Sequence, residues 1–184
     1  MPEPAPERVL ASRRLYEGRV VNLRLDTVEL PGGRKATREV VEHGDVVAVV
    51  PLLEGEDVLL VRQYRLPTGQ TLLEVPAGGV DEGESAEAAA QRELGEECGR
   101  WAGRLERLSG FYVSPGYCSE YVHVFLATQL EPVESHPDPD EQLAVVRLPL
   151  PEALRLVSGG EIRDAKSIIG LTWAWAKVRG FTIE

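Results

Sequence analysis

Glu93, Glu96 and Glu97 are the residues of this chain whose types and spacing most readily do chemistry. Spacings of three and four put them on one face of a helix. Like charges so placed repel, at about 0.2–0.5 kcal/mol per pair. They also stand in the last turns before Gly99, where the helix dipole disfavours negative charge. Such an arrangement costs stability, and a divalent cation would offset the cost. Mg2+ takes carboxylate oxygens and keeps several of its waters. An acidic triplet on a helix is more often a solvated surface. The sequence around it has to decide between the two.

The elements that would position these side chains can be read from patterns. Ser85 suits an N-cap, residues 86–98 are helix formers apart from Gly95 and Cys98, and Gly99 suits the C-terminal cap. Just ahead, Pro76-Ala77-Gly78-Gly79 reads as a loop. Residues 18–30 partly alternate apolar and polar, as a half-buried strand does, and 36–42 follow as a second strand after the turn Pro31-Gly32-Gly33. Residues 45–53 form a nearly continuous apolar run that fits a strand buried on both faces. Further strands are predicted at 58–64, 71–75, 104–113, 120–128 and 143–148, with a polar, proline-rich loop over 131–142. Pro151 opens a short helix. A last helix spans about 164–178, with Ile168, Ile169, Leu171, Trp173 and Trp175 read as packing. The sum is an α/β chain, a mixed sheet with helices against it. Its expected organisation is a flexible tail over 1–12, N-terminal strands over 13–42 and a main domain over 43–184.

Composition sets the bounds. A chain of 184 residues with 43 % hydrophobic residues can bury one core. The net charge of −10 argues against nucleic-acid binding, which needs a positive field, but not against an anionic small molecule handled with metals. No signal peptide or membrane-length apolar run is visible, and Cys98 and Cys118 form no CxxC pair. A cytoplasmic protein with free thiols is expected.

Around the glutamates the chain gives Gly78, Glu84, Arg92-Glu93-Leu94, Glu96-Glu97 and Gly99. This resembles the Nudix box, G-x5-E-x7-R-E-U-x-E-E-x-G-U, where U is bulky and aliphatic. Eight of the nine specified positions match; the departure is Arg100 at the final aliphatic position. That position packs the chain after the helix and is separate from the acidic residues. The resemblance implies an α/β/α sandwich around a mixed sheet. It implies that Glu93, Glu96, Glu97 and the Ala77 carbonyl hold Mg2+ or Mn2+, two or more ions per site. Arg92 would orient the glutamates, Glu84 would sit near the site in a weaker role, and Leu94 would face the core. The chemistry implied is water attack on a diphosphate.

Further segments resemble the ADP-ribose pyrophosphatase branch of that family: VRQYR at 61–65, EVPAG at 74–78, Ser114-Pro115-Gly116-Tyr117, and GEIRDAKSI at 160–168. Pro115 lies sixteen residues after Gly99, as in that branch. The resemblance implies substrate contacts at Arg65, Arg38, Ser114 and Pro115; guanidinium suits phosphate through its paired, planar donors. It also implies a glutamate base on a lid loop, for which Glu141 is the candidate and Glu120 the second. The expected substrate is ADP-ribose, cleaved to AMP and ribose 5-phosphate. Alternatives are another nucleoside diphosphate derivative, such as a sugar nucleotide or a dinucleotide like FAD or NADH, and an inactive nucleotide sensor. Members of the branch are usually homodimers joined through N-terminal strands.

Overall fold

The computed structural model describes residues 5–135 and 142–181. The chain divides into two compact units. The first takes Met1–Asp45 and Tyr112–Tyr121, the second Val46–Phe111 and Val122–Glu184.

The first unit is a three-stranded antiparallel sheet of β1 (Arg8–Glu17), β2 (Asn22–Glu29) and β3 (Lys35–Glu42), in that order. Charge holds its inner strand. Asp26 is buried, accepts Ser12 Oγ at 2.6 Å and pairs with Arg24 at 3.0 Å, and Glu42 pairs with both Arg14 and Arg24. Two expectations change here. β1 begins at Arg8, inside the segment expected as a tail over 1–12. It is exposed along almost its whole length, so no apolar alternation announces it; its stability comes from pairing with β2. The single strand expected over 18–30 starts only at Asn22, whose side chain accepts the Gly18 N–H and closes the preceding turn. In the same unit Ser114–Ser119 forms a turn in which the Ser114 carbonyl accepts the N–H groups of Tyr117 and Cys118.

The second unit is built on β4 (Val46–Pro51). It runs at the centre of a mixed sheet ordered β7-β4-β9-β8, with β7 (Ala77–Gly79), β8 (Arg100–Tyr112) and β9 (Tyr121–Pro132). β4 is antiparallel to β7 and parallel to β9. A second, antiparallel sheet is ordered β10-β5-β6, with β5 (Asp57–Arg65), β6 (Gln70–Glu74) and β10 (Leu143–Pro149). Side chains alternate across β4. Val47 and Val49 pack on one face with Ala89, Ala90 and Leu94 of α1 (Ala86–Cys98). Ala48 and Val50 pack on the other with Ala153 of α2 (Leu150–Ser158) and Leu171 of α3 (Ala165–Val178). Helices therefore cover both faces, as the sandwich expectation required. Trp173 and Trp175 pack against this core. No helix among the described residues is long and apolar enough to cross a membrane.

One expectation fails in this unit. Residues 76–79 read as a loop in the sequence, yet Ala77–Gly79 pairs with β4, Ala48 opposite Ala77 and Val46 opposite Gly79. Three small residues carry no strand pattern, so only the partner reveals the strand.

Candidate active site

The helix that carries the acidic residues is framed by its caps. Ser85 Oγ accepts the Ala88 N–H at 3.1 Å, and Gly99 ends the helix at φ 59°, a left-handed conformation that glycine adopts without strain. The inward face presents Ala89, Ala90, Glu93, Leu94, Glu97 and Cys98. Two carboxylates thus point to the protein side of the helix, Glu93 at 8 % exposure and Glu97 at 4 %. Glu96 lies half-buried beside them. Burial of acids at a helix C-terminus has no value for stability and needs positive charge nearby.

β7 meets that face. The Ala77 N–H donates to Glu97 Oε2 at 3.1 Å. A Cβ built on Gly78 would collide with the Glu93 carboxylate, so the absent side chain is what makes room for it. Arg92 ties the group together. Its Nη1 donates to Glu93 Oε1 at 2.6 Å and to Glu96 Oε2 at 3.1 Å. Its Nε and Nη2 hold both oxygens of Glu84 at 3.1 and 3.0 Å, and Nη2 also reaches the Gly79 carbonyl at 2.9 Å. Hydrogen bonding from Arg92 keeps the Glu84 carboxyl below its ordinary range, and the same contacts raise the guanidinium. Arg92 thus bonds three acids of the helix and the loop before it, Glu84 among them.

Three parts of the surroundings were not foreseen. Gln91 clamps the helix to β8, donating to the Ala102 carbonyl at 2.8 Å and accepting the Ala102 N–H at 3.1 Å. Only its place beside Arg92 could have drawn notice. Arg100, at the departing box position, is half-buried and donates to the Gly99 carbonyl at 3.3 Å, leaving the apolar duty to buried Ala102. Burial, with the Glu97 charge adding, pushes the Cys98 thiol up to about 12, so it stays protonated.

Arg65, at the end of β5, forks onto Glu74 of β6: Nε to Oε1 at 3.0 Å and Nη2 to Oε2 at 2.8 Å. This bonding raises the guanidinium against the opposing effect of burial, with smaller contributions from Glu97 and Asp164. A box carboxylate is therefore within electrostatic reach of Arg65. Arg38, Ser114, Pro115 and Glu120 fall in the first unit, where Arg38 pairs with Glu7 and donates to the Thr37 carbonyl at 2.9 Å. Glu141 lies outside the described residues. The chain leading toward it is anchored at the helix end: the Val133 N–H donates to the Gly99 carbonyl at 3.0 Å, and Ser135 Oγ to the Glu96 carbonyl at 2.5 Å.

Among the described residues, no three acidic, His or Cys side chains converge as a ready metal cage. The residues nonetheless fit a hard divalent cation. The donors are carboxylate oxygens, Gly78 leaves space for that of Glu93, and the Arg92 guanidinium draws Glu93 and Glu96 together as a cation would.

Comparison with known proteins identifies the family. Residues 42–168 match the model of the NUDIX domain, and residues 7–41 that of the nucleoside diphosphate sugar hydrolase N-terminal domain. The chain is 38 % identical to an ADP-ribose pyrophosphatase of Bacillus subtilis over 173 residues, 93 % of this chain and 94 % of that protein. It is 34 % identical to a GDP-mannose pyrophosphatase of Citrobacter koseri over 147 residues, 74 % and 76 % of the two chains. A crystal structure of an ADP compounds hydrolase superposes with a TM-score of 0.87 at 26 % identity, over 99 % of this chain and 100 % of that one.

Proposed function

This chain belongs to the Nudix family, and from that premise we propose that it hydrolyses the diphosphate bond of ADP-ribose, giving AMP and ribose 5-phosphate. The observation that carries the reading is the acidic helix itself. It buries two glutamates against a glycine-bearing strand, an arrangement that suits a divalent cation. The near end-to-end similarity to an ADP-ribose pyrophosphatase supports the substrate.

In this reading Glu93, Glu96, Glu97 and the Ala77 carbonyl hold Mg2+ or Mn2+, two or more ions per site. Such cations neutralise the diphosphate, acidify water and stabilise the leaving oxygens. The protein does the rest. Arg92 keeps Glu93 and Glu96 in register on the helix face. Arg65 offers a planar donor edge to the phosphates, with Arg38, Ser114 and Pro115 contacting the remainder of the substrate. Glu141 takes the proton of the attacking water, and Glu120 is the second candidate for that role. The water oxygen bonds to one phosphorus as the other phosphate departs with the bridging oxygen.

Similarity to a GDP-mannose pyrophosphatase favours a second reading, the same hydrolysis on a sugar nucleotide. A substrate panel separates the two. ADP-ribose is expected among the highest kcat/KM values, and a clear preference for GDP-mannose would replace the first reading with the second. Turnover in 18O water, with mass analysis of both products, reports the phosphorus attacked. We extend the proposal to a cytoplasmic homodimer; a monomeric mass by light scattering would reject the dimer.

A further inference from the structure

The segment 160–168, singled out in the sequence, lies far along the chain from the box and has no part in the chemistry above. The structure places its second half at the start of α3, against the end of β6. Asp164 caps the helix, its Oδ2 accepting the Ser167 N–H at 3.0 Å and the Ser167 hydroxyl at 2.6 Å. Ser167, fully buried, accepts the Val75 N–H at 2.8 Å. Between them Lys166 turns inward. Its Nζ reaches Glu74 Oε2 at 2.5 Å and Asp164 Oδ1 at 3.0 Å, with the side chain only 14 % exposed.

Lysine is rarely buried, and fixing its four-carbon stem costs rotamer entropy. Glu74, 1 % exposed, already has a complete partner in the Arg65 fork. A second cation on the same carboxylate is not needed to satisfy it. What Lys166 adds is direction. The fork alone would let Glu74 and Arg65 swing as a unit about their side-chain torsions. With Oε2 also pinned from α3, the carboxylate plane is fixed, and with it the guanidinium plane. Arg65 uses Nε and Nη2 on Glu74, keeps Nη1 without a bonding partner among the described residues, and is 36 % exposed at the side chain. One donor edge is thus held rigidly and left open.

We infer that Lys166, acting through Glu74, is a positioning residue that aims Arg65 at the substrate diphosphate. The inference rests on the phosphate-binding role proposed for Arg65. It also gives the 160–168 segment a role far from the box, since the start of α3 reaches 92 residues back along the chain to orient one arginine.

A double-mutant cycle on the Mg2+-loaded protein with ADP-ribose tests it. Lys166→Met is expected to raise KM about tenfold with far less change in kcat, in the range seen when a supporting partner of a site residue is lost. Lys166→Arg is expected to recover most of that loss. In an Arg65→Ala background, Lys166→Met should change KM no further. Thermal unfolding of each variant confirms the fold. Should Arg65→Ala leave KM unchanged, the phosphate role of Arg65 falls and this inference with it. Should Arg65→Ala raise KM while Lys166→Met adds its effect independently, or lowers only the unfolding temperature, the phosphate role stands and the inference alone is overturned.

Discussion

Two ionic knots in the second unit carry opposite ratios of charge. At the acidic helix one arginine, Arg92, is shared by Glu84, Glu93 and Glu96, and Glu97 lies one turn on from Glu93. At the end of β6 one glutamate, Glu74, is shared by Arg65 and Lys166, with Asp164 on the far side of the lysine. The second knot balances, two acids against two bases. It asks for no further ion and serves as a rigid mount for a single guanidinium. The first knot does not balance. Around Arg92 the acids outnumber the base that they share, and two acids of this helix, Glu93 and Glu97, are withdrawn from water. In the proposed reading, the first knot is the place that would recruit cations and the second the place that would present a donor to an anion.

The sharpest way to break this contrast is to remove one charge from the unbalanced knot while keeping its shape. Glu97→Gln should lower kcat by about 10²–10⁴-fold, the scale of a lost essential carboxylate, with near-normal folding. Steady-state kinetics with a circular dichroism spectrum decide the matter, and undiminished turnover would remove the acidic helix from the mechanism. A smaller effect follows from taking away the cation the knot already has. Arg92→Met should destabilise the protein by about 1–3 kcal/mol in a chelating buffer, because buried acceptors lose their donor. Mg2+ should restore part of that loss, and more than it adds to the wild type. Equal unfolding temperatures with and without Mg2+ in the variant would mean that the excess acids are not a cation site. In the balanced knot, Ser167→Ala strands the buried Val75 N–H and should cost about 1–2 kcal/mol, with no recovery by Mg2+. Urea unfolding measures both variants on one scale.

The sequence discloses these knots unequally, for a physical reason. The box helix depends on local rules: a serine cap, helix formers, a glycine stop and acids at helical spacing all lie within 85–99. Its pairing of Arg92 with Glu84 spans only eight residues and joins two box positions. The second knot joins Glu74 to Lys166 across the chain, and neither residue type nor spacing announces such a contact. The same divide governs the strands. The continuous apolar run of β4 declares itself because both its faces are buried, whereas β1 is exposed and β7 is three small residues held by a partner. Beyond its place beside Arg92, Gln91 gives no sign in the sequence, because its clamp on Ala102 depends on where β8 turns back against the helix.

The smallest effect expected is a matter of pH, and it isolates the balanced knot. Burial alone pushes the Glu74 carboxyl up; bonding to Arg65 and Lys166 outweighs it and holds the group below its ordinary value of 4.5. A carboxylate whose folded pKa is depressed contributes stability that is present above its unfolded pKa. That stability is lost as pH falls through the lower, folded value. Wild-type protein should therefore lose stability from this source only on acidification below about pH 4.5. Glu74→Gln has nothing to protonate there. It should be the less stable protein near neutrality, and the gap between the two should narrow as the pH is lowered. Urea midpoints taken in steps between about pH 5 and pH 3 read this directly. A gap that stays constant across the window would show that Glu74 acts by shape alone, and the charge balance drawn for this knot would have to be abandoned.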